Sequence, residues 1–333
     1  MKSSSISSYF VSATLRNLGE SGLNCDQLLK KHNIPVQLVN NITARVSAEQ
    51  FANLQQSITD LLQDETLGYV ERAIPLGTFS MACHSLIHSK SLDTAMQRYC
   101  QFYELMERGL IPSLHVDGNY AYIRMQPSHA NFCYDMYAYE SALYYAHRLM
   151  NWLSHYHIPL QRVDLSYPAP SHAAEYRPLF FGAPVLFAQD NVQLVFEAGF
   201  LKKTVVQNQQ SLASFLNNAI YQMLVQNYES TQWSTKVSEL INKDLKHIPE
   251  QNYVANTLSI HPQTLRRRLH CEGTSFQNLK NESRRDFAIY KLSKTGESIE
   301  KIGSEIGFSE ASTFIRAFRT WTGLTPSCYR KTD

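Results

Sequence analysis

The side chains best suited to chemistry in this sequence are amides, hydroxyls and guanidinium groups near its C-terminal end. Gln263, Arg266, Arg267 and Arg268 follow closely on Ser259-Ile260-His261-Pro262, and Ser312, Thr313, Arg316 and Arg319 form a second set further on. Arginine and glutamine can engage two neighbouring polar atoms at once, the pattern that phosphates and base edges present. The run Arg266-Arg267-Arg268 alone also reads as a solvated helix face. The elements that would carry these residues must decide between the two readings.

Val254, Ala255 and Leu258 are spaced as the buried side of a short helix. Ser259-Ile260-His261 predicts a tight turn, and Pro262 suits the first position of a new helix because its missing N–H would have no partner there. Leu265 and Leu269 then face inward, leaving Gln263, Arg266, Arg267 and Arg268 on other faces. This is the helix-turn-helix pattern, whose second helix carries groove-reading side chains. The pattern recurs. Ser298 to Phe308 predicts a helix ending in a glycine turn, Ser309 is the expected N-cap of the next helix, and Phe314 and Phe318 pack inward. Ala255 and Gly303, at matching places in the two units, are 48 residues apart. The stretch from Ser275 to Ser293 predicts a single linking helix about 27 Å long. Such a spacer suits two recognition helices about 34 Å apart, one turn of DNA.

The rest of the chain must position this pair of units or control it. Leu23, Leu28 and Leu29 predict a helix stopped at Pro35. Ser47 and Gln50 form a capping box ahead of Phe51, Leu54, Ile58, Leu61 and Leu62 at helical spacing. A third helix is predicted over 91–108 and a long one over 137–155. Strands are predicted on either side of Asp117-Gly118-Asn119 as a hairpin, at 163–167, and at 185–187 and 192–196 as a second hairpin. The fold expected is an α+β domain over residues 1–228, with a helix and linker at 206–228, followed by an all-α domain over 232–333 with two helix-turn-helix units joined by a linker helix. Residues 211–228 are expected to form one helix whose wide apolar face includes Leu212, Phe215, Leu216, Ala219, Ile220, Met223 and Leu224.

The 333-residue length fits two domains. No apolar run approaches the roughly 18 residues of a membrane span, and the first ten residues lack the apolar stretch of a signal peptide. The net charge of +2 splits unevenly: residues 232–333 hold 16 Lys+Arg against 11 Asp+Glu, the remainder 15 against 18. A basic tail behind a slightly acidic body permits a nucleic-acid partner. Six scattered cysteines without a C-x-x-C pair are expected as free thiols in a cytoplasmic protein. Cys83, His84 and His88 have a spacing open to zinc but no further ligand in sequence, so no metal is expected. His147, His155 and His157 are expected to be surface or partly buried groups. No G-x-S-x-G, P-loop, G-x-G-x-x-G or H-E-x-x-H motif points to an enzyme or to a cofactor.

Ile306-Gly307-Phe308-Ser309-Glu310-Ala311-Ser312-Thr313-Phe314-Ile315-Arg316-Ala317-Phe318-Arg319, continuing through Trp321, Gly323, Leu324 and Pro326, closely resembles the signature of AraC/XylS transcriptional regulators. Leu265 and Leu269, Glu272-Gly273-Thr274-Ser275-Phe276, and Arg284 with Ala288 match the same domain. Leu67-Gly68, Leu76-Gly77, Ser91-Leu92 and Phe180-Phe181-Gly182-Ala183-Pro184-Val185-Leu186-Phe187 resemble the arabinose-binding-type sensor domain, a family label that leaves the ligand open.

The resemblance implies a sequence-specific DNA-binding regulator, an activator touching RNA polymerase, controlled by a small-molecule effector or by dimerisation through its N-terminal domain. It implies base and nearby phosphate contacts from Gln263, Arg266, Arg267, Ser312, Thr313 and Arg316, with Arg319 meeting phosphate. The tyrosine-rich stretch offers Tyr120, Tyr122, Tyr134, Tyr137 and Tyr144 as an effector-pocket lining, with core packing as the other reading. The apolar face at 211–228 predicts a homodimer, with packing on its own sheet as the other reading. The alternative is an enzyme or DNA-repair protein fused to an AraC-type domain, although Cys25, Cys83, Cys100 and Cys133 lack a reactive motif. Two departures from the family pattern, His261 as a cap and Gly303 inside a helix, predict a marginal DNA-binding domain. Arg284 is expected to hold the linker helix by an ion pair.

Overall fold

The computed structural model describes residues 4–21, 24–39, 41–226, 228 and 230–330; Leu23, expected in the first helix, lies outside them. Two compact units emerge, residues 55–230 and residues 1–54 together with 231–333. The sequence predicts residues 1–228 as one domain. The contacts instead group the first 54 residues with the C-terminal helices.

That first segment begins with β1 (Ser5–Ser7) and α1 (Ser8–Leu15), followed by α2 (Cys25–Lys31) and α3 (Val36–Val39). β2 (Arg45–Ser47) pairs antiparallel with β1, Ile6 opposite Val46. α4 (Ala48–Leu62) starts at the expected capping box: the Gln50 backbone N–H donates to Ser47 Oγ at 3.2 Å, and the Ser47 N–H donates to Gln50 Oε1 at 3.0 Å. Three-residue strands carry too little alternation to be legible in sequence.

The second unit contains α5 (Thr78–Leu86), α6 (Leu92–Met106), β3 (Leu110–Asp117), β4 (Tyr120–Pro127), α7 (Met136–Ser154), β5 (Leu160–Asp164), α8 (Tyr176–Leu179), β6 (Val185–Leu186) and β7 (Val192–Glu197). Its five-stranded sheet has the order β3-β4-β7-β5-β6. The hairpin of β3 and β4 forms where the Asp-Gly-Asn turn predicts it, with Asp117 opposite Tyr120. The second predicted hairpin does not form. β6 pairs parallel with β5, and β7 inserts antiparallel between β4 and β5. The turn at Gln189-Asp190-Asn191 is thus a crossover, because β7 is buried along most of its length and needs a partner on both edges. Ile123, Leu194 and Phe196 share one core with Leu86, Leu92, Met96, Leu143 and Leu149 from α5, α6 and α7.

The helix expected over 211–228 is two: α9 (Gln209–Leu216) and α10 (Ala219–Val225). Asn218 has a non-helical backbone, φ −154° and ψ 55°, and asparagine favours helix ends over interiors. Leu212, Phe215 and Met223 are buried within their own unit, and Phe215 stacks on Trp152 with centroids 4.3 Å apart.

The C-terminal helices are α11 (Trp233–Ile241), α12 (Gln251–Thr257), α13 (Pro262–Cys271), α14 (Phe276–Lys294), α15 (Ile299–Glu305) and α16 (Ala311–Thr322). Val237, Ile241, Val254, Ala255, Leu265, Leu269 and Leu279 close the core of the first helix-turn-helix unit. α14 starts on Ser275, whose hydroxyl caps it at Asn278, and spans the expected linker. All six cysteines are free thiols. Among the described residues no helix is long and apolar enough to cross a membrane.

Candidate nucleic-acid interface

α12 and α13 form the first helix-turn-helix and α15 and α16 the second. Pro262 occupies the first turn of α13, and His261 caps it, its Nδ1 accepting the Gln263 backbone N–H at 3.3 Å. The departure from Ser or Thr at this place therefore keeps the capping function. Glu272 has a structural role that no local pattern in the sequence signals. Its carboxylate accepts the Trp233 and Ser234 backbone N–H groups at 2.7 and 2.8 Å, closing the open N-terminus of α11 against the end of α13. Arg268 lies over the Trp233 ring, 4.1 Å from its centroid, and so is half-buried as a structural cation. Gln263, Arg266 and Arg267 remain exposed.

In the second unit Phe314 and Phe318 are fully buried and touch edge to face, centroids 5.7 Å apart. Gly303 explains its own departure from alanine. A Cβ there would sit 3.1 Å from two carbons of Phe314, so glycine makes room for the ring at the helix crossing. Ser309 is not the cap: α16 begins at Ala311 with Glu310 at the capping place and no side-chain bond. Ser312, Thr313, Arg316 and Arg319 are all exposed on α16. Among the described residues Arg316 reaches only Thr313 Oγ1, at 3.4 Å, and Ser312 reaches Glu310 at 3.2 Å. Against the expectation of an ion pair, no acidic partner of Arg284 is found among the described residues. Its guanidinium lies 5.0 Å from the centroid of Phe308, and burial lowers its pKa. Lys291 supplies ion pairing instead, to Glu297 at 3.1 Å and Glu305 at 3.0 Å. The seven expected DNA contacts thus lie exposed on α13 and α16, while Trp233, Arg268, Arg284 and Glu272 build the scaffold beneath.

The five tyrosines proposed for an effector are not brought together. Tyr120, 44% exposed at the end of β4, lines an open groove of about 1050 Å³ with Ser91, Asp93, Val116, Glu197 and Lys202. Tyr122 is half-buried, two residues along β4. Tyr134 is buried and donates to Glu71 at 2.6 Å. Tyr137 is buried against Tyr69, and Tyr144 donates to the Met223 carbonyl at 3.2 Å. Glu71 is the anchor missed in sequence. Burial alone would raise its pKa, but hydrogen bonds from Tyr134, the Gly109 N–H and Ser128 hold it down at about 2. Tyr134→Phe removes one of these donors from a charged acceptor. It should cost about 1.5–3 kcal/mol of unfolding free energy, read as a lower urea midpoint at unchanged slope.

Cys83 faces the core while His84 and His88 are exposed, so the three do not converge. His147 and His157, expected to be surface or partly buried groups, are instead buried beside each other.

The N-terminal region matches the model for the arabinose-binding domain of AraC transcription regulators over residues 22–205, and a helix-turn-helix domain matches residues 254–332. Over 331 residues the chain is 24% identical to the ornithine utilization regulator of Pseudomonas aeruginosa, covering 97% of this chain and 95% of that one. It is 30% identical over 120 residues to the regulator GadX of Escherichia coli, 36% of this chain and 44% of that one. Among solved structures, a DNA-binding transcriptional dual regulator of Escherichia coli K-12 aligns with 31% identity, covering 29% of this chain and 94% of that one, with a TM-score of 0.28. With the sensor-domain model spanning more than half of its length and two helix-turn-helix units behind it, the chain belongs to the AraC family of DNA-binding transcriptional regulators.

Proposed function

We propose that this regulator reads two successive half-sites in the major groove, one with α13 and one with α16, and activates transcription through RNA polymerase when its N-terminal domain binds a small-molecule effector. The observation that carries the reading is the exposure of Gln263, Arg266, Arg267, Ser312, Thr313, Arg316 and Arg319 on the second helices of two helix-turn-helix units whose apolar faces are buried. A well-made bidentate arginine contact to guanine contributes about 1–3 kcal/mol of discrimination. Arg316→Ala should therefore relax sequence preference in one half of a selected site. Uniform weakening of all sequences, with the salt slope reduced by about one, would reassign Arg316 to phosphate.

The effector is sought by melting temperature. A ligand at 100 times its dissociation constant stabilises by about 2.7 kcal/mol. The name of the relative that matches over nearly the full length makes ornithine and other amino acids the first candidates. Pairing of two chains through the N-terminal domain supports this mode of action, since linked DNA-binding domains gain from effective concentration. Leu216, Ile220 and Leu224 on α9 and α10 remain half-exposed and available to it. Light scattering of the full chain, with and without DNA, tests the dimer: monomers throughout at micromolar concentration exclude it.

A further inference from the structure

Residues 232–333 read in sequence as the whole DNA-binding domain, yet the linker helix α14 also holds the start of the chain. Ser5 donates through its hydroxyl to Asp286 Oδ1 at 2.5 Å and through its backbone N–H to Oδ2 at 3.3 Å. Arg45 donates from Nε to Ser5 Oγ at 2.9 Å and from Nη2 to the Ser5 carbonyl at 3.0 Å. The Arg45 backbone N–H donates to the Tyr329 hydroxyl at 3.1 Å. Tyr329 is 3% exposed and meets Phe318, the core residue of α16, edge to face at 5.0 Å. Further along α14, Lys294 forms an ion pair with Glu49. Arg285, the neighbouring charge on α14, also donates to Asp286 Oδ1, at 3.0 Å.

These contacts run as one connected path from the linker helix through β1 and β2 to the core of the second helix-turn-helix. None of the residues named belongs to the core of the first unit, which is built on α11, α12, α13 and the start of α14. A β-ribbon of three residues per strand has no stability of its own, so the ribbon is ordered by what it docks on, and it orders that surface in return. Among the described residues the Asp286 carboxylate is met locally by Arg285 and, across 281 residues of sequence, by Ser5, which Arg45 holds in turn.

We propose that the DNA-binding module of this protein is discontinuous: the segment around β1 and β2 is a brace that holds α16 against α14, and Asp286 is the positioning residue through which it acts. The brace is needed for binding by the second unit and not by the first. Its function is to keep the second recognition helix at a fixed distance and angle from the first, so that one duplex satisfies both.

The test uses the full chain and a duplex selected by the wild-type protein from a random pool, with half-sites assigned by Arg266→Ala and Arg316→Ala. Two further duplexes carry one scrambled half each. Losing hydrogen bonds to a charged acceptor corresponds to about tenfold or more in an equilibrium constant. Asp286→Ala should weaken the intact duplex by about that factor and leave unchanged the binding to the duplex whose α16 half is scrambled. Hydrogen exchange should quicken in α16 and not in α13. Wild-type affinity for the intact duplex, or an equal loss on all three, overturns the proposal. Should Asp286→Ala fail to fold, Ser5→Ala, which deletes a single hydroxyl, is read on the same three duplexes by the same criteria.

Discussion

Gly307→Ala is expected to destabilise the second helix-turn-helix by about 2–4 kcal/mol, the sum of a left-handed backbone and a forced displacement. Gly307 has φ +81°, and a Cβ there would lie 2.6 Å from the Lys246 carbonyl oxygen and 2.8 Å from Arg284 Nη2. The guanidinium tip has some freedom, but the carbonyl belongs to backbone and does not. Arg284 would be pushed from its place over Phe308 at the same time. The variant should show a lower melting temperature in the full chain and lose contact with the half-site read by α16. Gly303→Ala tests the opposite balance, since the helix gains up to about 1 kcal/mol in propensity while Phe314 must retreat by a few tenths of an ångström. The ordering expected is a large loss at Gly307 and a small change at Gly303. Equal effects at both positions would mean that backbone strain and contact at Gly307 are relieved by movement of the 246 loop.

Acid should destabilise the N-terminal domain through its buried histidines. Burial, and then the charge of Arg148, push the His157 pKa down to about 4. Burial, then His157, lower that of His147, opposed by its hydrogen bond to the Ile158 carbonyl at 2.8 Å. The two rings lie 5.6 Å apart, both beside Phe181, with the Arg148 guanidinium 5.2 Å from that ring's centroid. The sign follows from which state takes up the proton. As pH falls below about 6.5 the unfolded imidazoles protonate and the folded ones do not, so the unfolded state is favoured progressively until the folded pKa is reached. For His157 alone the window from about 6.5 to about 4 corresponds to about 3 kcal/mol, and His147 adds in the same direction. Urea midpoints measured between pH 7.5 and pH 5 should fall accordingly, and His157→Gln should flatten the slope. A wild-type midpoint independent of pH in that range would show that the imidazoles are solvated in the folded state. Arg148 also donates to the Met223 and Gln226 carbonyls at the end of α10, so the loss should begin where that helix meets α7.

The two helix-turn-helix units were legible in sequence because everything that defines them is local. Leu265 and Leu269 set the buried side of α13, Pro262 its start, and Gly307 the turn before α16, all within a few helical turns. The same locality made the hairpin of β3 and β4 readable from its Asp-Gly-Asn turn. It misled at 185–196, where two short strands around polar residues look like a hairpin from either side. Only the sheet could decide that β7 lies between β4 and β5, since strand order is a matter of partners far apart in the chain. The break between α9 and α10 was within reach, because Asn217-Asn218 stands in the middle of the apolar pattern.

The exposure of Arg266, Arg267, Arg316 and Arg319 could be inferred by subtracting the buried positions of an amphipathic helix. Arg268 and Arg284 could not be sorted in that way. Each is taken out of the candidate interface by an aromatic ring from another element, Trp233 and Phe308 respectively. Likewise the tyrosines of 120–145 share a composition but not a place, because a strand, a loop and a helix send them to different neighbours. The family was legible from a contiguous signature that resembles AraC/XylS regulators, and the two recognition helices and the polarity of their faces from periodicity and capping along neighbouring residues. Which charges are spoken for, as with Arg45 and Asp286 around Ser5, emerged only with the fold. A hydrogen bond across hundreds of residues leaves no periodic trace in the sequence, and its energy is realised only once folding has brought the partners together.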